Sequence, residues 1–328
     1  MGRDTNAPAR SRGIAGRPQT TLGPSITRRA VLAGAAGLAL AACGGSPQQT
    51  TPESSSSTAA PSSSASPSPT TTKPTPPGPL AGVGTWIQAP HASESLADSQ
   101  ARWCYTWAPG HDGIDIPQGC EFVPMFEDLS QLTEEGLELA KANGETLLGF
   151  NEPDQEAHAN MSVQQALTAW PQLESTGMRL GAPAVAGNAD NPASWFTGFM
   201  DGAKAKGYRV DFIPLHWYLA VELLPSYSAA VATQDLKAYL ERVHTKYQMP
   251  IWLTEFSLIS WYPASAAAKP SKVQAEFLKT AADMLASLPY VERWAWFSLT
   301  PPPYAPNVAL YDNNGKVSAA GEQFRALA

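Results

Sequence analysis

Eight short apolar runs punctuate residues 80–328, and between them lie segments whose apolar positions recur at helical spacing. The runs are GVGTWI (82–87), WCYTWAP (103–109), CEFVPMF (120–126), TLLGFNEP (146–153), RLGAPAV (179–185), FIPLHWYL (212–219), IWLTEF (251–256) and ERWAWFSL (292–299). Each is continuous rather than alternating, which suits strands buried on both faces. Segments 130–143, 163–175 and 271–288 read as helices. Ser130 is the candidate cap of the first, with Leu132, Leu137 and Leu139 near one stripe, and Pro171 is expected to bend or divide the second. Eightfold strand and helix alternation over about 250 residues predicts an α/β fold, a single (β/α)8 TIM barrel. A doubly wound open sheet is the competitor. It would carry a phosphate-binding turn, but GVGTWI lacks the third glycine and neither GxxxxGKS nor GxxxxGKT occurs.

The chain ahead of this domain divides in two. Residues 1–29 carry six Arg, no Lys and one acidic residue, Asp4, and lead into AVLAGAAGLALAA (30–42), too short to span a bilayer. Residues 1–42 therefore read as an export signal. They end in LAAC (40–43), which resembles the bacterial lipobox, so Cys43 is expected to be lipidated and to anchor an exported protein at the cell surface. A plain signal peptide with a nearby Cys is the alternative. TRRAVL (27–32) resembles a twin-arginine signal without its usual Phe, which leaves both export routes open. Residues 43–79 are the lipidated Cys followed by a Ser, Thr and Pro-rich stretch with no aromatic and no large aliphatic residue. It cannot offset its ordering entropy and reads as a disordered linker. As a flexible coil its 36 residues after Cys43 would reach about 30–36 Å.

Removing residues 1–42 takes away six of the 22 basic residues and one of the 29 acidic ones, which moves the formal charge from −7 to −12. An acidic chain without a basic stripe is not built for nucleic acid, and only a lipid would hold it to an anionic membrane. After Cys43 the cysteines are Cys104 and Cys120, a candidate disulfide pair in an oxidising compartment; two buried thiols are the alternative. Two cysteines are too few for a structural zinc site, and the five histidines show neither HExxH nor another ligand spacing, so no metal or other cofactor is expected.

Two of the apolar runs end in a carboxylate. LLGFNEPD (147–154) stops at Asn151 and Glu152 before Pro153, and IWLTEFSL (251–258) places Glu255 where its run is finishing. Proline ends a ladder, so Glu152 belongs at a strand-to-loop junction. In a barrel, catalytic residues sit at the carboxyl ends of strands, where both glutamates would face one mouth. A pair of carboxyl groups is what glycoside hydrolysis needs: one protonates the leaving oxygen while the other attacks or activates water. The structural alternative is that Asn151 and Glu152 cap a helix and Glu255 pairs with an Arg.

LLGFNEPD, LHWY (215–218), WLTEF (252–256), FVPMF (122–126) and YTWAP (105–109) together resemble glycoside hydrolase family 128, whose members are clan A barrels acting on β-1,3-glucans. The likeness spans essentially residues 80–328. It implies Glu152 as acid/base, Glu255 as nucleophile, retention of configuration, and Asn151 on the 2-hydroxyl of the sugar at the cleavage point. His216 and Tyr218 match the HWY motif, one of them orienting the nucleophile. Many clan relatives place an Arg on the second strand beside the nucleophile; YTWAP has none, which leaves open what tunes Glu255.

All ten Trp lie after residue 80. Sugar rings stack on indole and phenol faces, and Trp217, Trp261, Tyr262 and Trp296 are nearest the carboxyl ends. Trp86, Trp103 and Trp252 read as core. The reading is thus a monomeric β-glucan hydrolase of the endo-β-1,3-glucanase type. Its rival is a non-catalytic glucan- or sugar-binding cell-surface lipoprotein, which would leave the two-glutamate motif unexplained.

Overall fold

The computed structural model describes residues 78–219, 228–260, 270–302 and 306–328. The stretches read as export signal and linker, Cys43 among them, lie outside the described residues up to residue 77, as do Trp261 and Tyr262. Among the described residues the strands are β1 (Leu80–Gly84), β2 (Trp103–Tyr105), β3 (Glu121–Phe122), β4 (Met125–Phe126), β5 (Thr146–Phe150), β6 (Arg179–Leu180), β7 (Ile213–Tyr218), β8 (Ile251–Ser257) and β9 (Val291–Trp296). The α-helices are α1 (Ala92–Ser99), α2 (Glu134–Asn143), α3 (Val163–Glu174), α4 (Trp195–Lys206), α5 (Ala229–Tyr247), α6 (Ser271–Ala286) and α7 (Ala319–Arg325). This is an α/β fold whose strands pair in parallel, as a six-stranded sheet β3-β2-β1-β9-β8-β7 and a three-stranded sheet β4-β5-β6.

The sheets divide at the third run because Pro124 has no N–H for the ladder. Its carbonyl still accepts from Leu148 N–H at 2.9 Å, and Val123 N–H reaches Cys104 O at 2.9 Å. The fifth run gives only two strand residues, then continues through the parallel bridges Gly181 to Phe212 and Val185 to Leu215, next to β7. Each of the eight runs therefore neighbours the next in the chain, and the last, β9, pairs with the first, β1.

Two helix expectations are corrected. α2 is capped by Thr133, whose hydroxyl accepts from Gly136 N–H at 3.0 Å, while Ser130 turns its hydroxyl to Asp128 at 2.6 Å. α3 runs unbroken through Pro171, which forfeits one ladder bond, and starts at a capping box of Ser162 and Gln165.

Apolar side chains fall into two clusters. The outer one, between strands and helices, includes Leu147, Phe150, Leu253, Phe256, Leu236 and Phe277. The inner one includes Trp103, Tyr105, Met125, Leu148, Phe212 and Trp252. Phe212 stacks on Trp252 with centroids 4.2 Å apart, and the Arg293 guanidinium lies 4.2 Å from the Trp252 ring. Trp103 is accommodated by Gly82, where a Cβ would fall 2.2 Å from the indole nitrogen.

Strand parity is broken where the site requires it. Leu215 pairs with Leu253 but His216 with Glu255, so Thr254 is an extra residue on β8. Without that bulge Trp252 and Glu255 would point to opposite faces; with it both point inward. Likewise Met125 pairs with Leu148 but Phe126 with Phe150, which makes Gly149 the extra residue on β5 ahead of Asn151 and Glu152.

Candidate active site

β5 ends at Phe150, and Asn151 and Glu152 follow as the chain turns out of the sheet. Glu152 takes the left-handed conformation, φ 41°, and its N–H donates to Ala184 O at 2.7 Å. A non-glycine residue held there costs about 1–3 kcal/mol, so the surrounding structure fixes it. Both glutamates are buried. A Glu152 oxygen and a Glu255 oxygen lie within 4.8 Å of each other and of a ring nitrogen of His216, which comes from β7.

Each carboxylate is satisfied by protein donors. Glu255 Oε1 accepts from Trp107 Nε1 at 2.8 Å and from the Tyr105 hydroxyl at 3.1 Å, and Oε2 accepts from the Tyr218 hydroxyl. Trp107 also has a left-handed backbone, φ 55°, which turns its indole onto the carboxylate. Neutral donors thus occupy the place left open by the absence of an Arg in YTWAP. His216 Nδ1 is 2.7 Å from Glu152 Oε1 and 3.4 Å from Glu255 Oε2, and His158 Nε2 is 3.2 Å from Glu152 Oε2. Glu152, His216 and Glu255 are close enough together to hold a cation, but these donors already occupy their near oxygens.

The electrostatics follow from that packing. Burial pushes the Glu152 carboxyl up, but the hydrogen bond and charge of His216, then the charge of His158, outweigh it and hold the group below its usual range. Burial pushes His216 down, and the charges of Glu255 and Glu152 with the Glu152 hydrogen bond raise it further than that. Both shifts favour the ion-paired form of Glu152 and His216, along the 2.7 Å hydrogen bond that joins them. Burial and the Glu255 charge push the Tyr218 phenol well up, which keeps it a donor.

Above the carboxylates is a cavity of about 400 Å³ lined by Trp86, Thr106, Trp107, Glu127, Asn151, Glu152, Ala157, His158, Tyr218, Glu255 and Phe297. Trp86 stacks on Trp107 with centroids 4.9 Å apart, and Phe297 stands edge-on to both at 5.8 and 6.1 Å. The Asn151 Oδ1 is buried without a partner among the described residues.

Asn151, Glu152, His216, Tyr218 and Glu255 are brought together. Trp217 and Trp296 are not. Trp217 alternates with His216 and Tyr218, so it points outward and packs on Phe277 at 5.7 Å. Trp296 is fully buried, with its indole N–H on Val308 O at 2.7 Å. Trp86, read as core, instead lines the cavity, while Trp103 and Trp252 are core. The disulfide expectation is also corrected: Cys104 and Cys120 are free thiols, the neighbouring Cys120 together with burial pushing the Cys104 thiol well up, while Cys104 lowers Cys120 against the opposing effect of burial. Tyr105 and Trp107, His158 and Glu127 were missed. Glu127 had a signal, since it directly follows Phe126 at the end of the third run as Asn151 and Glu152 follow Phe150 in the fourth; His158 had none.

Strands, helices and paired carboxylates of this kind define a glycoside hydrolase catalytic domain, and the family described as glycosyl hydrolase catalytic core matches residues 84–324. A GH128 subgroup I endo-β-1,3-glucanase from Amycolatopsis mediterranei, solved as a variant with laminarihexaose, is 45% identical, with a TM-score of 0.69 over 76% of this chain and 100% of that one. The chain belongs to glycoside hydrolase family 128. A subgroup II endo-β-1,3-glucanase from Sorangium cellulosum is 25% identical, with a TM-score of 0.63 over 76% of this chain and 98% of that one. Alkali-sensitive linkage protein 1 of Schizosaccharomyces pombe is 27% identical over 237 residues, which are 70% of this chain and 40% of that protein.

Proposed function

We propose that the protein is a retaining endo-β-1,3-glucanase on a closed (β/α)8 barrel, with Glu152 as acid/base and Glu255 as nucleophile. One observation carries the mechanism: carboxyl oxygens within 4.8 Å of each other match the roughly 5–5.5 Å of double displacement and not the roughly 6.5–9.5 Å that leaves room for an inverting water. The barrel is supported by the pairing of each run with the next and of β9 with β1. The substrate class is supported by the laminari-oligosaccharide complexes of the Amycolatopsis enzyme.

A general acid must hold its proton, yet Glu152 is held low in the resting site. The two statements are reconciled by the 2.7 Å bond to His216. When a glucan fills the cavity and expels water, the buried ion pair becomes costlier, and the proton passes from His216 Nδ1 to Glu152 Oε1. Glu152 then protonates the glycosidic oxygen as Glu255, oriented by Trp107, Tyr105 and Tyr218, attacks the anomeric carbon. Water, deprotonated by Glu152, releases the glycosyl-enzyme. Asn151 Oδ1, buried and unpartnered, accepts from the 2-hydroxyl, and the Trp86, Trp107 and Phe297 rings bind sugar faces.

The anomer formed first from laminarihexaose, followed by NMR, tests this. The β-anomer is expected; the α-anomer would make the enzyme inverting, and oligosaccharide binding without cleavage would favour the non-catalytic reading. Glu255→Ala should abolish turnover. Glu152→Ala should spare the first step on aryl glycosides with good leaving groups and slow the second, with partial rescue by azide, and near-normal activity on glucan would overturn its role.

A further inference from the structure

Three carboxylates face the cavity, and the proposed reaction uses two. Glu127 follows β4 directly and lines the cavity with Glu152 and Glu255. Its backbone is held from two sides. The N–H donates to Gln131 Oε1 at 2.7 Å, and the same amide donates from Nε2 to the Trp107 carbonyl at 3.1 Å. The Glu127 carbonyl accepts from Asn151 N–H at 3.0 Å. Glu127 is thereby tied both to the segment whose indole holds Glu255 and to the segment that carries Asn151 and Glu152. A side chain mounted on such supports is preorganised rather than free to drift.

In one respect Glu127 differs from the other two. Their oxygens are covered by Trp107, Tyr105, Tyr218, His216 and His158, whereas the partly buried Glu127 carboxylate has no hydrogen-bond or ion-pair partner among the described residues. Burial and the charge of Asp128 raise its carboxyl, against a smaller opposing pull from His158. A carboxylate taken partly out of water without donors costs free energy, and a ligand that brings donors recovers it. A glucosyl unit inside a β-1,3-linked chain offers free hydroxyls at positions 2, 4 and 6, all of them donors.

We propose that Glu127 is a substrate-contacting residue that accepts hydrogen bonds from the hydroxyls of a glucosyl unit bound in this cavity. The proposal rests on the hydrolase reading above. Laminarihexaose is titrated calorimetrically into the full chain carrying Glu255→Ala, alone and combined with Glu127→Ala or Glu127→Gln, and the Tm of each protein is measured. Glu127→Ala should weaken binding about tenfold or more, as loss of a charged hydrogen bond implies, and Glu127→Gln by less. The Tm should stay level or rise, because an uncompensated carboxylate has been removed. Affinities of both double variants within about twofold of the Glu255→Ala parent would overturn the proposal, and so would a fall in Tm that tracks the loss of binding. A parent that fails to bind laminarihexaose would bring down the hydrolase reading as well, which separates the two failures.

Discussion

At the scale of single residues, the site is a set of charges whose cost is shared. Glu152, His216 and Glu255 are buried together, and each is tolerable only because the others are there: His216 stays cationic through the two carboxylates, and Glu152 stays low through His216. His216→Gln makes the dependence measurable. Without the imidazolium the burial effect on Glu152 is less opposed, so its carboxyl rises. The basic limb of kcat/KM, which in the parent reports loss of the proton shared by His216 and Glu152 and in the variant loss of a proton held by Glu152 alone, should then move to lower pH, from the raised histidine range towards the carboxylate range, while kcat falls. An unmoved limb would mean that His216 does not set the Glu152 proton. The nucleophile is held differently, chiefly by the neutral donors Trp107, Tyr105 and Tyr218, with His216 Nδ1 farther off at 3.4 Å and no Arg among its partners in the described residues.

At the scale of elements, the two glutamates were legible as strand-end carboxylates, and so were the eight runs and their parallel order. The direction of each side chain was not. Simple alternation sends Glu255 to the face opposite Trp252, and only the extra residue Thr254 brings it inward. Bulges depend on neighbouring strands, so the local sequence of WLTEF carries no sign of one. The same limit explains why Trp217 and Trp296 were read as sugar platforms: nearness to a strand end is visible in sequence, but face is not. Trp86 lay on the first run, yet its ring reaches the cavity to stack on Trp107. The β5 bulge can be tested. A Cβ on Gly149 would fall 2.9 Å from the Ala182 carbonyl carbon and oxygen and the Gly181 oxygen, all backbone of the adjoining run. Gly149→Ala should therefore cost about 1–3 kcal/mol in thermal unfolding and lower kcat/KM by displacing Asn151 and Glu152. Gly187→Ala, where a Cβ would meet nothing within 4 Å, should stay within about 0.5 kcal/mol of the parent. Equal effects at the two positions would remove the reason given for Gly149.

At the scale of the whole molecule, residues 80–328 hold the proposed catalytic machinery, and the sequence before them bears on where it works. With residues 1–42 removed the formal charge is −12, so attraction to an anionic bilayer is unavailable and Cys43 would have to carry the attachment alone. Stable anchoring takes more than one acyl chain, so attachment through Cys43 alone requires that cysteine to carry at least two. In a bacterial host the parent should therefore sediment with membranes and remain there through a wash at about 1 M salt, where the Debye length is about 3 Å and electrostatic attachment is lost. Cys43→Ala should appear in the soluble fraction with an unchanged kcat on laminarihexaose, since every residue of the candidate site lies after residue 80. A Cys43→Ala protein that still pellets with membranes after the wash would rule out lipid anchoring at this cysteine, while a parent that is soluble from the start would assign residues 1–42 to a plain signal peptide.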